Sequence, residues 1–340
     1  MIYSIFPKAD TTCYQQYPTK NTGLDEILEL EKIVSSSTIH GLYNTRILMD
    51  FDLYNLSQSL TINPAKFYLN LYVADRNTPE PSSIQYGYPV DTEWNSGIGK
   101  STHNPITKDG ASWTYSTGTT TWTGGNGPET NSAIHITHSE SIKDVRADLT
   151  GLINSTWHIS QNPGLLIKRT LAQETDGKKY GNIKFFSNDT STIYRPRLDI
   201  CYDDHLWITG SLSALDTTKD YFVYLKNNFE TLKIDTTTRF RFEAKEKYPA
   251  KTYTTSTTSI SSEYFPSSSY YSLVDVKTGE TIIPFDTTYT KISCDAVGNY
   301  ANLTLSGLYP DRLYKFIIRV DGTDGMVKYH DLENILKVVE

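Results

Sequence analysis

Asp50 and Asp52 stand two residues apart in a segment that alternates apolar and polar side chains, so on a strand both carboxylates point to one side. That spacing suits a shared cation or a paired acid and base. It equally suits the solvated outer face of a strand, with Asp52 turning the chain after Phe51. His135 and His138 are three apart, which on a strand sends them to opposite faces and away from a common metal; accessible or edge histidines are the plain alternative. Asp203 and Asp204 are adjacent, and either cap a turn or offer a calcium ligand pair. Beyond these, the chain has no GxSxG, no Gly-rich phosphate loop, no HExxH and no CxxC, so the catalytic and zinc families built on those patterns are disfavoured.

Aromatic residues offer a different chemistry. Trp94, Trp113 and Trp122 lie in a stretch from Asn77 to Asn131 dominated by Thr, Gly, Ser and Pro, and Tyr264 and Tyr270 border the Ser/Thr-rich segment Thr252–Ser269. Flat rings in loops serve as platforms for the C–H faces of sugars, or as plugs that cover a core. These five residues form the candidate aromatic binding surface. No pair of carboxylates stands out for the separation of about 5 to 10 Å that glycoside hydrolysis requires.

The elements that must position such groups read as strands. The 340 residues include 25 Tyr, 44 Thr and only 3 Met, a composition for half-buried pleated surfaces and against helix packing. Period-two alternation predicts strands at Arg46–Leu53, with Ile47, Met49, Phe51 and Leu53 on one face, and at Lys66–Ala74, with Phe67, Leu69, Leu71 and Val73 inward. Asn55–Pro64 reads as a loop, and residues 77–131 as long loops with brief strands. Ala133–Thr137 is another strand, and Asp144–Trp157 has the near-helical spacing of a short helix. Leu165–Arg169, Ile183–Ser187 and Pro196–Tyr202 follow as strands. A boundary near Asp203–Ser213 separates residues 1–203 from residues 204–340, where about seven short strands in about 130 residues suit an immunoglobulin-like sandwich.

The formal charge is −7, divided as 17 basic and 21 acidic side chains before residue 204 and 15 and 18 from there on. Neither half is basic, so nucleic acid and anionic membrane surfaces are not expected partners. Cys13, Cys201 and Cys294 are odd in number and far apart, which speaks against a disulfide framework. The opening MIYSIFPKAD has no secretory pattern and no stretch approaches 18 apolar residues, so the expectation is a soluble chain made in a cytosol. Sequons at Asn55, Asn154, Asn188 and Asn302 are at the level chance gives in so Asn-, Ser- and Thr-rich a chain.

The order of several short motifs resembles the modules called DNRLRE domains. Ala9-Asp10-Thr11 with Tyr14, then Asn21-Thr22-Gly23, then Arg46-Ile47-Leu48-Met49-Asp50-Phe51-Asp52-Leu53 follow the opening of those modules. Ala65–Tyr72, Trp94, Trp113, Asp148-Leu149-Thr150 with Trp157, Asn162-Pro163-Gly164-Leu165, Phe186-Ser187 and Arg195-Pro196-Arg197-Leu198 continue it to about residue 202. Asp50 stands where those modules carry a lysine. The resemblance implies a jelly-roll β-sandwich with a carbohydrate-binding or adhesive role and no catalysis. The whole chain, with Thr281–Asp286, Cys294-Asp295, Gly298–Tyr300 and Lys337–Val339, is similar to structural proteins of tailed bacteriophages. The combined expectation is an all-β protein, an N-terminal jelly roll followed by a smaller immunoglobulin-like sandwich. It would be a non-enzymatic virion component in many copies, without metal or cofactor, docking on capsid, neck or tail proteins. A carbohydrate-binding adhesin that recognises a host glycan is the alternative.

Overall fold

Ile47, Leu48 and Met49 are all fully buried, so the strand that carries them, Leu42–Asp50, has apolar cover on both faces rather than one. Antiparallel neighbours flank it: Ala9–Tyr14 and Ile27–Val34 pair with it, and Leu165–Lys168 runs beside it with Leu165 opposite Met49. The computed structural model describes residues 1–34, 42–53, 65–77, 82–122, 134–139, 144–155, 164–227, 229, 231–250, 263–322 and 325–340. Among them the chain is all-β apart from two short helices, Thr150–Ser155 and Leu171–Thr175. It divides into two compact units, residues 5–199 and residues 1–4 with 200–340.

In the first unit one sheet runs in the order Val73–Asn77, Gly181–Phe186, Ile27–Val34, Leu42–Asp50, Leu165–Lys168, Ser82–Pro89, Ile134–Ser139, with Ala9–Tyr14 also on Leu42–Asp50. Neighbours in space are distant in sequence, the crossover habit expected of a jelly roll. In a second sheet Arg197–Cys201, Lys66–Leu71 and Val145–Asp148 lie side by side. Phe67, Leu69 and Leu71 are buried as the alternation required. The single strand expected over Lys66–Ala74 is two strands, broken at Tyr72, because the chain leaves one sheet and enters the other there.

Three further expectations change. The strand at Arg46–Leu53 ends at Asp50; Phe51 and Leu53 stay buried but follow a tight turn closed by Leu53 N–H donating to the Phe51 carbonyl at 2.9 Å. Asp144–Trp157 is not one helix. Val145 and Ala147 are buried while Arg146 and Asp148 are exposed, the period of a strand, and helix begins only at Thr150; Trp157 lies outside the described residues, as do Asn162, Pro163 and all of Asn55–Pro64. Ser82–Pro89, within the stretch read as long loops with brief strands, is an eight-residue strand paired on both sides.

The second unit is a sandwich of two six-stranded sheets. Thr237–Glu246 lies between Tyr221–Leu225, Glu263–Tyr264 and Gly298–Thr304, with Ser213–Ala214 and Ser293–Asp295 farther out. The other sheet runs Thr231–Lys233, Leu336–Val339, Leu313–Asp321, Ser269–Asp275, Thr281–Ile283, with Val327–Asp331 also on Leu313–Asp321. Phe240 and Phe242 from one sheet meet Phe316 from the other at 5.0 and 5.4 Å between ring centroids, edge to face, with Tyr271 at 5.9 Å. Such contacts add about 0.5–1.5 kcal/mol each beyond area burial. Twelve strands are described here rather than the seven expected, because two-residue and three-residue edge strands leave no periodicity to read. Met1–Ser4 belongs to this unit: the Met1 ammonium donates to the Tyr202 carbonyl at 2.6 Å and to Asp204 at 2.7 Å.

Candidate functional site

A segment without regular structure, residues 90–122, covers the second face of the first unit's large sheet. Val90, Ala111 and Trp122 pack with Cys13, Leu48 and Leu166, and Trp94 and Trp113 lie against that cluster. Asn21 holds the segment in place. Its amide nitrogen donates to the carbonyls of Ser96 (2.6 Å) and Ala111 (2.9 Å), and its amide oxygen accepts from Gly99 N–H at 2.8 Å. Close approach requires glycine: a Cβ on Gly99 would lie 2.2 Å from the Asn21 carbonyl oxygen, and Gly97 sits at φ +74°. Thr22 continues the knot, donating its hydroxyl to the Thr12 carbonyl at 2.7 Å. The Asn21-Thr22-Gly23 motif is therefore a clamp between the start of the chain and the covering segment.

That clamp builds a groove of ≈ 400 Å³ lined by Tyr14, Tyr17, Lys20, Leu24, Asp25, Glu29, Lys100 and Ser101 among others. Tyr17 is 46% exposed and offers an open ring. The Lys20 ammonium lies 5.2 Å from the Tyr17 centroid and 5.7 Å from that of Tyr14, and donates to the Ser101 carbonyl at 2.6 Å. Asp25 accepts from the Ser101 N–H at 2.9 Å and from its hydroxyl at 3.2 Å. Burial pushes the Asp25 carboxyl up from its ordinary value, against those hydrogen bonds and Lys20. Tyr14 donates to Glu29 at 3.1 Å, Lys184 pairs with the other Glu29 oxygen at 2.8 Å, and burial with the nearby carboxylates drives the Tyr14 phenol far up. Behind the groove, Ser187 donates to the Asp25 carbonyl, and the next residue, Asn188, donates its N–H to buried Asp10 at 2.7 Å. A second groove of ≈ 580 Å³, lined by Glu31, Ile33, Asp75, Lys179, Asn182 and Lys184 among others, has no aromatic ring.

The residues singled out from sequence are placed differently. Trp122 is buried and donates its indole N–H to the Ser112 carbonyl at 2.9 Å; Tyr270 is buried as well. Neither can form a surface platform. Trp94 and Trp113 are half-buried, and the Arg46 guanidinium stacks 4.2 Å from the Trp113 centroid. Tyr264, in the second unit, is half-buried with its ring against Trp207 at 5.7 Å. Asp50 is an ion-pair partner of Lys8 at 2.9 Å, its carboxyl raised by burial and lowered by Lys8, while Asp52 is exposed past the strand end. Asp203 accepts from His205 N–H at 2.9 Å in a turn, and Asp204 holds the Met1 ammonium. His135 packs edge-on to Tyr86 at 4.5 Å. Among the described residues no group of three or more His, Cys, Asp or Glu is gathered for a metal.

Tyr17, Lys20, Asp25, Lys100 and Ser101 were not singled out from sequence. The spacing of Tyr14, Tyr17 and Lys20 is a local hint, but Lys100 and Ser101 arrive from about 75 residues away along the chain.

No family model and no curated protein matches the chain, so the resemblance of residues 6–202 to DNRLRE modules rests on motif order alone. Among solved structures, the adhesin domain of Epf from Streptococcus pyogenes aligns over 99% of this chain and 99% of that one, at 10% identity and a TM-score of 0.19. A likeness of that size carries no argument about this chain.

Proposed function

We propose that the chain is a non-enzymatic recognition and attachment protein whose first unit takes a saccharide in the Tyr17 groove. The observation that carries this reading is the open Tyr17 ring set beside Lys20, Asp25, Lys100 and Ser101 around one hollow. A pyranose offers an apolar C–H face to a ring and hydroxyls to the groups at its side. Asp25, Glu26 and Glu29 against Lys20 and Lys100 leave the lining near charge balance, which favours a neutral or N-acetylated sugar over an anionic one. Binding is favoured over hydrolysis because Asp25 is held by Ser101 and Glu29 by Tyr14 and Lys184, leaving neither carboxylate positioned as an unencumbered acid and base pair. Titration calorimetry with neutral and N-acetylated oligosaccharides tests it: heat of binding lost in Tyr17→Ala is expected, with no reducing ends released. Release of reducing ends that stops in Asp25→Asn would make the protein a depolymerase instead.

A virion subunit is the second reading, and it is compatible with the first. It is favoured by Val327–Asp331, a strand hydrogen-bonded to Leu313–Asp321, around which Met326, Val327 and Tyr329 are 59%, 44% and 62% exposed. Apolar strand margins of this kind suit docking by a neighbour in an assembly. Mass spectrometry of gradient-banded phage particles is expected to find the protein at a fixed ratio to the major capsid protein. Its absence from intact particles would end that reading.

A further inference from the structure

The outward face of the strand Thr237–Glu246 carries a feature that the groove does not explain. Phe240, Phe242 and Ala244 point into the core, so Arg239, Arg241, Glu243 and Lys245 share the opposite face, and Lys247 follows just past the strand end. Aromatic rings from this strand's neighbours and its own continuation lie under or beside those cations. The guanidiniums of Arg239 and Arg241 stand 4.1 and 5.7 Å from the buried Tyr300 ring. Lys245 stands 5.5 Å from Tyr224, and Lys247 lies 5.5 Å from Phe222 and 5.6 Å from Tyr248. Phe222 and Tyr248 are 61% and 72% exposed, an unusual state for two large rings flanking one cation.

Lys226 adds a fifth cation, paired with Glu243 at 2.5 Å, and Asp295 binds Arg241 at 2.8 Å. Five cations against two carboxylates leave this face basic on a chain whose net charge is −7. Same-face side chains recur about every 7 Å along a strand, so Arg239 to Lys247 spans about 27 Å, several sugar rings long. We propose that this face binds an anionic polysaccharide, a chain of uronate or sulfated sugars lying along the strand. Exposed rings take the C–H faces of the sugars, and the lysines and arginines take their carboxylate or sulfate groups. A nucleic acid, with its unbroken and closely spaced negative charge, is a poorer match, because Glu243 and Asp295 interrupt the row of cations. The site is independent of the Tyr17 groove and of the neutral saccharide proposed there.

Affinity electrophoresis of the full chain through gels containing polygalacturonate, heparin or dextran tests the proposal. Retardation is expected in polygalacturonate, heparin or both, weakening with salt, and none in dextran. Retardation by polygalacturonate alone assigns uronate, and by heparin alone assigns sulfate. Lys245→Ala with Lys247→Ala, and separately Phe222→Ala with Tyr248→Ala, are each expected to raise the dissociation constant about tenfold. All four side chains are at the surface, so these variants keep the fold, and Tyr17→Ala should leave retardation unchanged. The proposal is overturned by no retardation in either anionic gel, or by unchanged retardation in the lysine variant. Loss in the lysine variant with none in the ring variant would reduce the face to ion exchange and overturn it too. Equal displacement by an oligothymidylate or by polyglutamate would assign the face to nucleic acid or acidic peptide instead.

Discussion

Asp10 is buried without an opposite charge: it accepts the Asn188 N–H, while burial first and Asp189 second push its carboxyl up to about 7. The folded state therefore holds a proton that the unfolded chain releases at ordinary carboxylate pH. Stability from this group is full below pH 4 and is lost as pH rises to about 7. Urea unfolding between pH 4 and 8 is expected to show a decline that is shallower in Asp10→Asn, by a few kcal/mol over the range. An equally steep decline in the variant would contradict the placement. Arg46 and Glu174 are a buried pair, at 2.9 Å through Nε and 2.7 Å through a terminal nitrogen, inside the first unit. Arg46→Ala should cost about 3–5 kcal/mol by leaving Glu174 charged and buried, and Arg46→Met with Glu174→Met should recover most of it. Neither role was legible from sequence. Asp10 and Arg46 stood out only as letters in a motif, and burial is set by residues 128 to 178 positions away.

At the scale of elements, alternation located a strand where one face is largely apolar and the other largely polar, as in Lys66–Leu71. At Leu42–Asp50 it found the strand from Arg46 onward but not its start or the burial of both faces, and it missed the extent of Ser82–Pro89, where small residues carry the pairing. The covering segment 90–122 was legible as irregular, and its three tryptophans as either plugs or platforms. The packing of Trp122 with Leu48 and Leu166 decides for plug at that position. The groove could not be read in advance because its two banks are joined by the Asn21 clamp rather than by neighbours in sequence. Gly99→Ala drives a methyl to 2.2 Å from the Asn21 carbonyl, so it should cost about 2 kcal/mol or more and abolish groove binding together with it. Wild-type stability and intact saccharide binding in Gly99→Ala would show that the clamp does not shape the groove.

For the whole molecule, composition carried the fold class: among the described residues the Thr- and Tyr-rich, Met-poor chain is all-β apart from two short helices. Cys13, Cys201 and Cys294 are all buried thiols. Burial pushes the Cys13 thiol up to about 12 and the Cys294 thiol up to about 11, so both stay protonated and unreactive. Ellman's reagent should find no fast-reacting thiol in the native protein and three after denaturation, and reductant should not move the melting temperature. A native thiol that reacts at once would place a cysteine at the surface. Recognition by the first unit's groove is tested most directly by a glycan array probed with the wild-type chain and with Tyr17→Ala. Selective binding to neutral or N-acetylated glycans that disappears in Tyr17→Ala is the expected result. Binding that survives the loss of the Tyr17 ring, or no glycan bound at all, would contradict it.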